Sequence, residues 1–543
     1  MLTPDQPAPE DYYQNNCLSL LHFVRERFPK VVANLGLAGQ IEGYIALSDD
    51  GQRLFARLLT RKGSIFRVDK LTYAEITSLP DALEELQQAC LVKADGEPPA
   101  DQLLGKLTKA EVKELFRLDA PKNARKDEIV LNILSRYSEH RIREQIKNYC
   151  TWVEICFPQI WWLVRLLYFG DSVQDWSAFV LRDLGVVQYE PVPLQDQYLA
   201  EPDRLNQELV VRRLSGLSYR LEEHPGLAEC LIGNLCDISG DRLINRSRDR
   251  SLLRIGRYAE KAQVQNLAVS AYQAVARHPA RERLARIYAK QGQQDRCDEV
   301  MQAMAQAPWC GEESQFVQRF GKRNAGFQPQ TDELEVCRLG ESVEQQVLEV
   351  LTQQGGWGVH CENSLVRTLT GLLYWPVIFA PVPGAFTNPF QGGPNDLYYA
   401  DFVESRQQQL VEHEAQFTDT SSLRTYMLAL QSKKWGVANS LVNWYLLEHF
   451  SLDMFLDAMP AEHVLKLTRF LIRNLNTRRS GLPDLFISCP GGGYELVEVK
   501  GPGDQLQPGQ RVWLQNLDAM GIPNRVIKVK ISGASQSDLS QHG

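Results

Sequence analysis

The sequence predicts a multidomain protein that is mostly α-helical and ends in an α/β unit. Three observations favour this class. The chain has 543 residues, which is too long for one hydrophobic core. Apolar residues recur at helical spacing through most of residues 100–325. From residue 481 onward, two short apolar strands, a glycine turn, a helix and a third strand follow one another.

The composition is that of a globular protein. Hydrophobic residues make up 44% and charged residues 23% of the chain, which excludes disordered and fibrous classes. The most apolar stretch, residues 151–170, contains Glu154 and Arg165, and such charges are costly inside a membrane. We therefore interpret this stretch as a buried helix. The start of the chain lacks a basic and apolar signal, and the 11 cysteines form no CxxC pair, which predicts a cytoplasmic protein with reduced thiols.

Positive charge is concentrated in one segment. The whole chain has a net charge of −8, which argues against a protein that coats nucleic acid over its entire surface. Residues 241–290, however, contain twelve Lys/Arg and four Asp/Glu, a net of +8. The candidate phosphate contacts there are Arg246, Arg248, Arg250, Arg254, Arg257 and Lys261. A solvated helical face explains the same run equally well.

The N-terminal half gives two kinds of signal. Residues 1–95 show helical spacing and then an alternating stretch, Arg53–Leu59, which predicts a strand, but no role can be assigned to them. Residues 96–148 predict a pair of short helices. The first begins at Thr108, with Glu111 completing a capping box, and the second begins near Arg125 after a basic turn at residues 119–123.

Residues 149–330 read as helical and contain an imperfect repeat. The pairs Tyr258-Ala259 and Tyr288-Ala289 lie 30 positions apart, and each is followed by a second apolar helix. Helix pairs at constant spacing are typical of a TPR-like solenoid. The polar stretch 321–331 is the best linker candidate, so a C-terminal domain is expected over residues 331–543.

The chemistry-bearing pattern lies in the predicted hairpin. Pro483 leads into one strand, residues 490–493 form a turn, and a second strand runs from Tyr494 to Lys500. Alternate side chains share a face of a strand, so Glu498 and Lys500 lie side by side, about 6.5–7 Å apart along the backbone. If the two strands pair, Asp484 lies beside Glu498. Two carboxylates and an ammonium at one point of a sheet suit Mg²⁺ or Mn²⁺ and a phosphate substrate.

A Pro-Asp and Glu-Val-Lys pair can also be a strand edge with a surface ion pair. The flanking residues favour the functional reading. Gly501-Pro502-Gly503-Asp504 follows the second strand, and a helix from Pro508 carries Gln510 and Trp513 at helical spacing. A third strand begins at Arg525. We expect Trp513 to be a core residue.

These motifs carry a resemblance. The stretch Gly481-Leu482-Pro483-Asp484 with Leu496-Val497-Glu498-Val499-Lys500-Gly501 resembles a VRR-NUC domain, a branch of the PD-(D/E)xK nucleases with a restriction-endonuclease-like core. The helix pair at 96–148 resembles a SAP motif, a small DNA-binding hairpin. This order of a SAP-like pair, a TPR-like region and a nuclease domain is similar to the Fanconi-associated nuclease family, and a bacterial member is expected.

The resemblance implies roles for individual residues. Asp484, Glu498 and Glu362 would bind metal together with the main-chain carbonyl of Val499, while Lys500 and Gln510 would act in catalysis. Without the resemblance, Glu362 would be interpreted as an acid that favours the positive end of the following helix. Likewise, Gln510 could belong to an amphipathic helix that packs on the sheet. His360 is interpreted as structural.

The resemblance also implies a substrate. Family members cut DNA near 5′ flaps as endonucleases, trim it as 5′-to-3′ exonucleases and act on interstrand crosslinks, with one or two Mg²⁺ or Mn²⁺ ions. The expected partner is therefore branched or flapped DNA with a 5′ end, in the bacterial cytosol at the nucleoid. The sequence lacks the Cys/His ubiquitin-binding zinc finger of animal members, so recruitment by ubiquitin is not implied. A restriction or junction-resolving nuclease, or a non-catalytic DNA-binding scaffold, are the alternatives.

Overall fold

The protein forms two compact units in a computed structural model. The structure describes residues 12–532 apart from 95, 118–122, 171–186, 195–198, 239, 241, 321–326, 338–341, 354, 400 and 418–419. The first unit comprises Met1–Gln188 and Asp196–Pro202, and the second comprises Tyr189–Gln195 and Asp203–Gly543.

The first unit is helical around one small sheet. Strands β1 (Ile65–Arg67), β2 (Val92–Ala94) and β3 (Trp152–Ile155) form an antiparallel sheet in the order β1-β3-β2. The helices are Tyr12–Arg27, Pro29–Asn34, Ala38–Ile45, Asp49–Thr60, Leu79–Gln88, Ala100–Lys106, Lys109–Leu115, Lys126–Arg136, Glu139–Lys147 and Pro158–Phe169, with a 3₁₀ turn at Val68–Lys70. Because β3 pairs with β1 and β2, it belongs to this unit, although it falls within residues 149–330, which were predicted to form one TPR-like region.

Two local predictions in this unit are wrong. Arg53–Leu59 is not a strand but part of the helix Asp49–Thr60, because Ser48 caps that helix by accepting a hydrogen bond from the Gly51 amide and the apolar residues bury one helical face. The stretch 151–170 is not one helix. It is β3 followed by a helix that begins at Pro158, since Phe157 adopts a left-handed backbone conformation with φ of 49°. No described helix is long and apolar enough to cross a membrane.

Both predicted helices of residues 96–148 are confirmed, as Lys109–Leu115 and Lys126–Arg136, and the helices Ala100–Lys106 and Glu139–Lys147 flank them. Thr108 accepts from the Glu111 amide and Glu111 accepts from the Thr108 amide, as the capping box predicts. The second helix, Lys126–Arg136, begins after Arg125, whose amide donates to Glu128. Residues 119–122 of the predicted basic turn lie outside the described residues.

The second unit begins with helical hairpins over residues 202–319, called here the solenoid. Their helices are Pro202–Ser218, Leu227–Cys236, Arg242–Lys261, Gln265–Gln273, Ala280–Lys290, Gln294–Gln306 and Gly311–Arg319, and they share one apolar core. The first predicted copy contains the helices Arg242–Lys261 and Gln265–Gln273, and the second contains Ala280–Lys290 and Gln294–Gln306. Gly256 permits the close packing, because a Cβ there would lie 2.5 Å from the ring of Tyr272. Residues 321–326 of the predicted linker lie outside the described residues.

The rest of this unit is an α/β domain built on a five-stranded sheet in the order β4-β8-β7-β6-β5. The strands are β4 (Thr331–Cys337), β5 (Trp357–His360), β6 (Leu485–Ser488), β7 (Tyr494–Lys500) and β8 (Asn524–Ser532). The hairpin of β6 and β7 is antiparallel, while β8 runs parallel to β7 and β4. The predicted hairpin and third strand are confirmed, whereas β4 and β5 were not predicted.

Helices cover both faces of this sheet. They are Val343–Thr352, Ser364–Leu373, Trp375–Ile378, Gln407–Glu414, Thr420–Lys434, Trp444–His449, Leu452–Ala458, Ala461–Arg473, Leu475–Arg478 and Pro508–Ala519, with a 3₁₀ turn at Glu404–Arg406. The first of these packs on one face of the sheet beside Val497 and Val499. The larger core lies on the other face and contains Leu496 and Trp513, which is fully buried as expected.

Candidate active site

The hairpin brings the two acids of the predicted pattern together. Leu485 pairs with Val497, so Asp484 and Glu498 lie opposite each other at the start of β6 and near the end of β7. The Val499 amide donates a hydrogen bond of 2.8 Å to Asp484 Oδ2. This bond fixes the Asp484 carboxylate beside the second strand. The predicted proximity of Asp484 and Glu498 is confirmed.

Glu498 is the most deeply buried acid of this group, with 0% exposure. Its Oε1 accepts from Lys500 Nζ at 2.7 Å and from Gln510 Nε2 at 2.5 Å. Its Oε2 is buried and has no hydrogen-bond partner among the described residues. A buried carboxylate oxygen without a partner is costly, so a cation beside it would stabilise this arrangement.

The acids also perturb one another. Burial raises the pKa of Glu498 to about 8, the charge of Asp484 adds to this shift, and Lys500 opposes it. Burial likewise raises the pKa of Asp484, against the hydrogen bond from the Val499 amide and the charge of Lys500. Burial disfavours the charged form of a carboxyl and is the largest cause of both shifts. The site has the electrostatics of a cation-binding pocket.

Glu362 approaches this pair through its backbone. Strand β5 ends at His360, which pairs with Leu485, and the amides of Cys361 and Glu362 each donate 2.9 Å bonds to the Asp484 carbonyl. Glu362 has a left-handed φ of 40°, and its side chain is exposed. Within the described part of the chain, no three His, Cys, Asp or Glu side chains form one ready metal group. Glu362 is thus adjacent to the acids without joining them in a single cluster.

Two further side chains lie within electrostatic reach of Asp484. Glu344 raises and His360 lowers the pKa of that carboxyl. Glu344 was not among the site residues predicted from the sequence. Its signal was weak, an acid in the first turn of the helix after Ser342, and only the packing of that helix against the sheet places it near the hairpin.

The helix Pro508–Ala519, called here the motif helix, holds Gln510 in place. The Gln507 amide donates to Gln510 Oε1 at 2.9 Å, so the Gln510 amide nitrogen is directed toward Glu498. Gly481 has a φ of 89°, and a Cβ at this position would lie 3.0 Å from the Gly509 carbonyl carbon. Only glycine allows the chain that leads to Asp484 to pack this closely on the start of the helix.

Comparison with known proteins identifies the family. A model described as "VRR-NUC domain" matches residues 418–531, and one described as "FAN1, HTH domain" matches residues 11–93. The Fanconi-associated nuclease 1 homolog of Pseudomonas aeruginosa is 31% identical, with 97% of each chain covered. The chain belongs to the Fanconi-associated nuclease family. It is therefore a DNA nuclease, and nucleases with this domain depend on a metal ion.

Other similar proteins belong to the same family. The homolog of Oryza sativa is 27% identical over 90% of this chain, which spans 59% of the rice protein. The crystal structure of paFAN1 bound to a 5′-flap DNA with a 2-nucleotide flap and a gap matches with a TM-score of 0.87 and 29% identity, covering 97% of this chain and 99% of that one. The VRR-NUC match contains β6, β7 and β8 but not β4 and β5, which complete the same sheet.

The predicted basic residues in the helix Arg242–Lys261, called here the basic helix, fall into two groups. Arg248 pairs with Asp249 at 2.9 Å, and Arg254 donates to Ser218 Oγ at 2.5 Å. Lys261 forms an exposed ion pair of 2.8 Å with Glu222, and Arg257 is exposed. Local contacts therefore account for Arg248, Arg254 and Lys261.

Arg246 is different. Its guanidinium carbon lies 3.4 Å from the ring centroid of Tyr399, and its Nε and Nη1 are buried without a hydrogen-bond partner among the described residues. Burial, with a further contribution from the charges of Arg250, Arg277 and Arg479, lowers its pKa to about 10. These four arginines are called here the arginine pocket. Unpaired buried guanidinium donors surrounded by other cations favour an anionic ligand.

The arginine pocket borders a cavity of about 460 Å³ between the solenoid and the α/β domain. Asn245, Arg246 and Arg277 line it from the solenoid, and Tyr398, Tyr399 and Thr477 from the α/β domain. Asp249 and Asp401 also line it, and the Asp249 carboxylate is held by Arg248. Arg246 and Arg250 were predicted from the sequence as phosphate contacts, whereas Arg277, Arg479 and Tyr399 were not predicted. Arg479 had one available signal, its position five residues before Asp484.

Proposed function

We propose that this chain is a structure-selective nuclease that cuts DNA near 5′ flaps, both as an endonuclease and as a 5′-to-3′ exonuclease, in the repair of interstrand crosslinks. The observation that carries the proposal is the buried Oε2 of Glu498, which finds no partner in the described part of the chain and lies in a group with Asp484 and Lys500. The similar structures of paFAN1 hold DNA with 5′ flaps of 1 and 2 nucleotides, and this supports the same class of substrate here.

The donor set fits a hard divalent cation. Asp484 and Glu498 offer carboxylate oxygens, Val499, whose amide holds Asp484, can offer its main-chain carbonyl, and Glu362 can supply a further carboxylate from the turn after β5. Oxygen-only ligands of this kind favour Mg²⁺ or Mn²⁺, one ion or two. Such an ion would neutralise charge on the scissile phosphate and lower the pKa of the attacking water.

The protein side chains prepare this chemistry. Lys500 keeps 12% of its side chain exposed while its Nζ contacts Glu498, so the ammonium borders the space open to a phosphodiester. There it can orient the attacking water or stabilise the charge that develops on the phosphorus oxygens. Gln510 donates to the same Glu498 oxygen, Oε1, and helps to fix the carboxylate. Hydrolysis then leaves a 5′-phosphate and a 3′-hydroxyl.

The arginine pocket supplies a reason for 5′ polarity. Phosphate contacts position DNA without reading its sequence, and a pocket of four arginines near the acids can hold the phosphate at a 5′ end. We further propose that residues 96–148 act as a SAP-like DNA-binding pair, that the hairpins before residue 320 are TPR-like, and that the protein works at the nucleoid in the cytoplasm.

Cutting assays of the unmodified protein on several DNA substrates test this function. We expect cutting of a labelled 5′-flap DNA with Mn²⁺ or Mg²⁺, much weaker cutting of a Holliday junction or plain duplex, and none of any substrate in EDTA. Preferential cutting of the junction would favour the resolving nuclease. Tight DNA binding without metal-dependent cutting would favour the non-catalytic scaffold.

A further inference from the structure

A buried ion pair joins the last solenoid helix to the chain that leads into the active site. Arg478 is 2% exposed, and its guanidinium makes a two-pronged contact with the Glu312 carboxylate, of which Nη2 to Oε2 measures 2.9 Å. Glu312 lies in the helix Gly311–Arg319, and a side chain at Gly311 would clash with the guanidinium. Burial raises the pKa of Glu312, but the hydrogen bonds from Arg478 outweigh this and hold the pKa below its usual value. Such paired geometry favours one orientation of the two partners.

The segment between Arg478 and Asp484 is fastened along its length. The carbonyls of Arg478 and Ser480 both accept from Trp513 Nε1, at 3.2 and 3.1 Å. The Leu482 amide donates to Asn363 Oδ1 at 3.2 Å. Together with the close packing of Gly481 on the motif helix, these contacts leave the segment little freedom. The position of Arg478 is therefore transmitted to Asp484.

The same segment also contributes to the arginine pocket. Thr477 lines the cavity and Arg479 is one of the four arginines, while Arg246 and Arg277 come from the solenoid. Arg479 precedes Asp484 by five positions, so their Cα atoms lie within about 18 Å, a span that a few nucleotides cover. One wall of the pocket thus comes from the solenoid and the other from the α/β domain. The Glu312–Arg478 pair joins these two parts beside the pocket.

We propose that the Glu312–Arg478 pair is a positioning element that sets the distance between the arginine pocket and the metal-binding acids, and so sets where the strand is cut relative to its 5′ end. This inference rests on the proposed function, because it requires a 5′ phosphate in the pocket and a scissile phosphate at the acids. Neither residue touches the reacting atoms. Both act through the segment that carries Arg479 on one side and Asp484 on the other.

The test is the position of the cut at single-nucleotide resolution. A 5′-phosphorylated flap DNA labelled at the 3′ end of the cut strand is incubated with Mn²⁺ and the full-length protein, and the product lengths are compared for wild type, Glu312→Gln, Arg478→Met and Arg478→Lys. We expect one dominant position for wild type, a spread over several nucleotides for Glu312→Gln and Arg478→Met, and a partial return to one position for Arg478→Lys. Arg424→Met is the matched control, since Arg424 forms exposed ion pairs with Asp453 and Asp457 in the same domain.

The outcomes separate this inference from the proposed function. If Arg478→Met fails to fold, as thermal unfolding would show, the milder Glu312→Gln decides. Folded variants that cut at the wild-type position overturn the proposal, and so do folded variants that lose cutting without any change of position, because a purely structural or purely catalytic role predicts those results. If wild type itself does not cut the flap, the proposed function fails instead.

Discussion

The active-site hairpin and the arginine pocket both gather charged side chains, but from very different distances along the chain. Asp484, Glu498 and Lys500 lie within 17 positions of sequence and meet because two short strands pair in one register. The arginine pocket combines Arg246, Arg277 and Arg479, which together span more than 200 positions of the sequence. Local backbone periodicity therefore determines the first cluster, whereas tertiary packing determines the second.

The two clusters also differ in charge balance. In the hairpin, two acids with raised pKa values face one ammonium, and one carboxylate oxygen has no hydrogen-bond partner among the residues that the structure describes. In the pocket, a half-buried guanidinium faces other cations. The first arrangement calls for a cation and the second for an anion. In the proposed function, a metal ion and a DNA phosphate supply these two charges, and the two clusters are complementary parts of one nuclease.

The largest effect is expected from removing a reacting group in the hairpin. Asp484→Asn or Lys500→Ala should lower single-turnover cutting of a 5′ flap by at least about a thousandfold, because each loses charge that stabilises the transition state. DNA affinity, measured by fluorescence anisotropy, should change little. Either variant cutting at the wild-type rate with Mn²⁺ would remove the residue from the centre.

An intermediate effect is expected in the arginine pocket. Arg246→Ala should weaken the preference for a 5′-phosphorylated flap over a 5′-hydroxyl flap by about tenfold or more, since a charged hydrogen bond contributes about 1.5–3 kcal/mol. The readout is the ratio of cutting rates on the two flaps. Arg254→Ala is the control in the same helix, because Arg254 is engaged by Ser218 and Tyr219. Equal ratios for wild type and Arg246→Ala would remove the pocket from 5′-end recognition.

The hairpin could be predicted because its evidence is local. The Pro-Asp entry, the glycine turn and the alternation of Glu498 and Lys500 predict both strands and their shared face, and the helical spacing of Gln510 and Trp513 predicts the next helix. Trp513 was recognisable as core from helical spacing. The prediction of a strand at Arg53–Leu59 was wrong because an alternating run of seven residues also fits one helical face. The cap at Ser48 favours the helix.

What the sequence could not predict depends on contacts between distant segments. Strand β4 pairs with β8 almost 200 positions later, and Glu344 reaches the hairpin only because its helix packs on the sheet. Tyr399 and Arg277 had no motif of their own. The six basic residues looked alike in sequence, and only burial and partners separated Arg246 from Arg248, Arg254 and Lys261.

A smaller effect is expected at Gln510. Gln510→Ala removes one hydrogen bond to Glu498 and should slow cutting by about five- to tenfold, in line with about 1 kcal/mol for such a bond. The effect should fall on the rate at saturating DNA rather than on DNA affinity. A loss as large as that of Asp484→Asn would mean that Gln510 contacts the reacting groups directly.

The smallest effect is expected at Lys261. Lys261→Ala breaks only an exposed ion pair with Glu222 and should change neither the cutting rate nor the midpoint of thermal unfolding beyond experimental error. A tenfold loss of DNA affinity would show instead that the whole basic helix, and not the arginine pocket alone, carries the DNA.

The central claim is that Asp484, Glu498 and Lys500 form one metal-dependent centre, and Glu498→Gln tests it most directly. Glutamine keeps the shape of the side chain and its contact with Gln510 but removes the charge. Titration calorimetry with Mn²⁺ alone, run beside the flap-cutting assay, should show that Glu498→Gln loses both high-affinity Mn²⁺ binding and cutting while it keeps wild-type DNA affinity. Unchanged Mn²⁺ binding together with unchanged cutting would contradict the account.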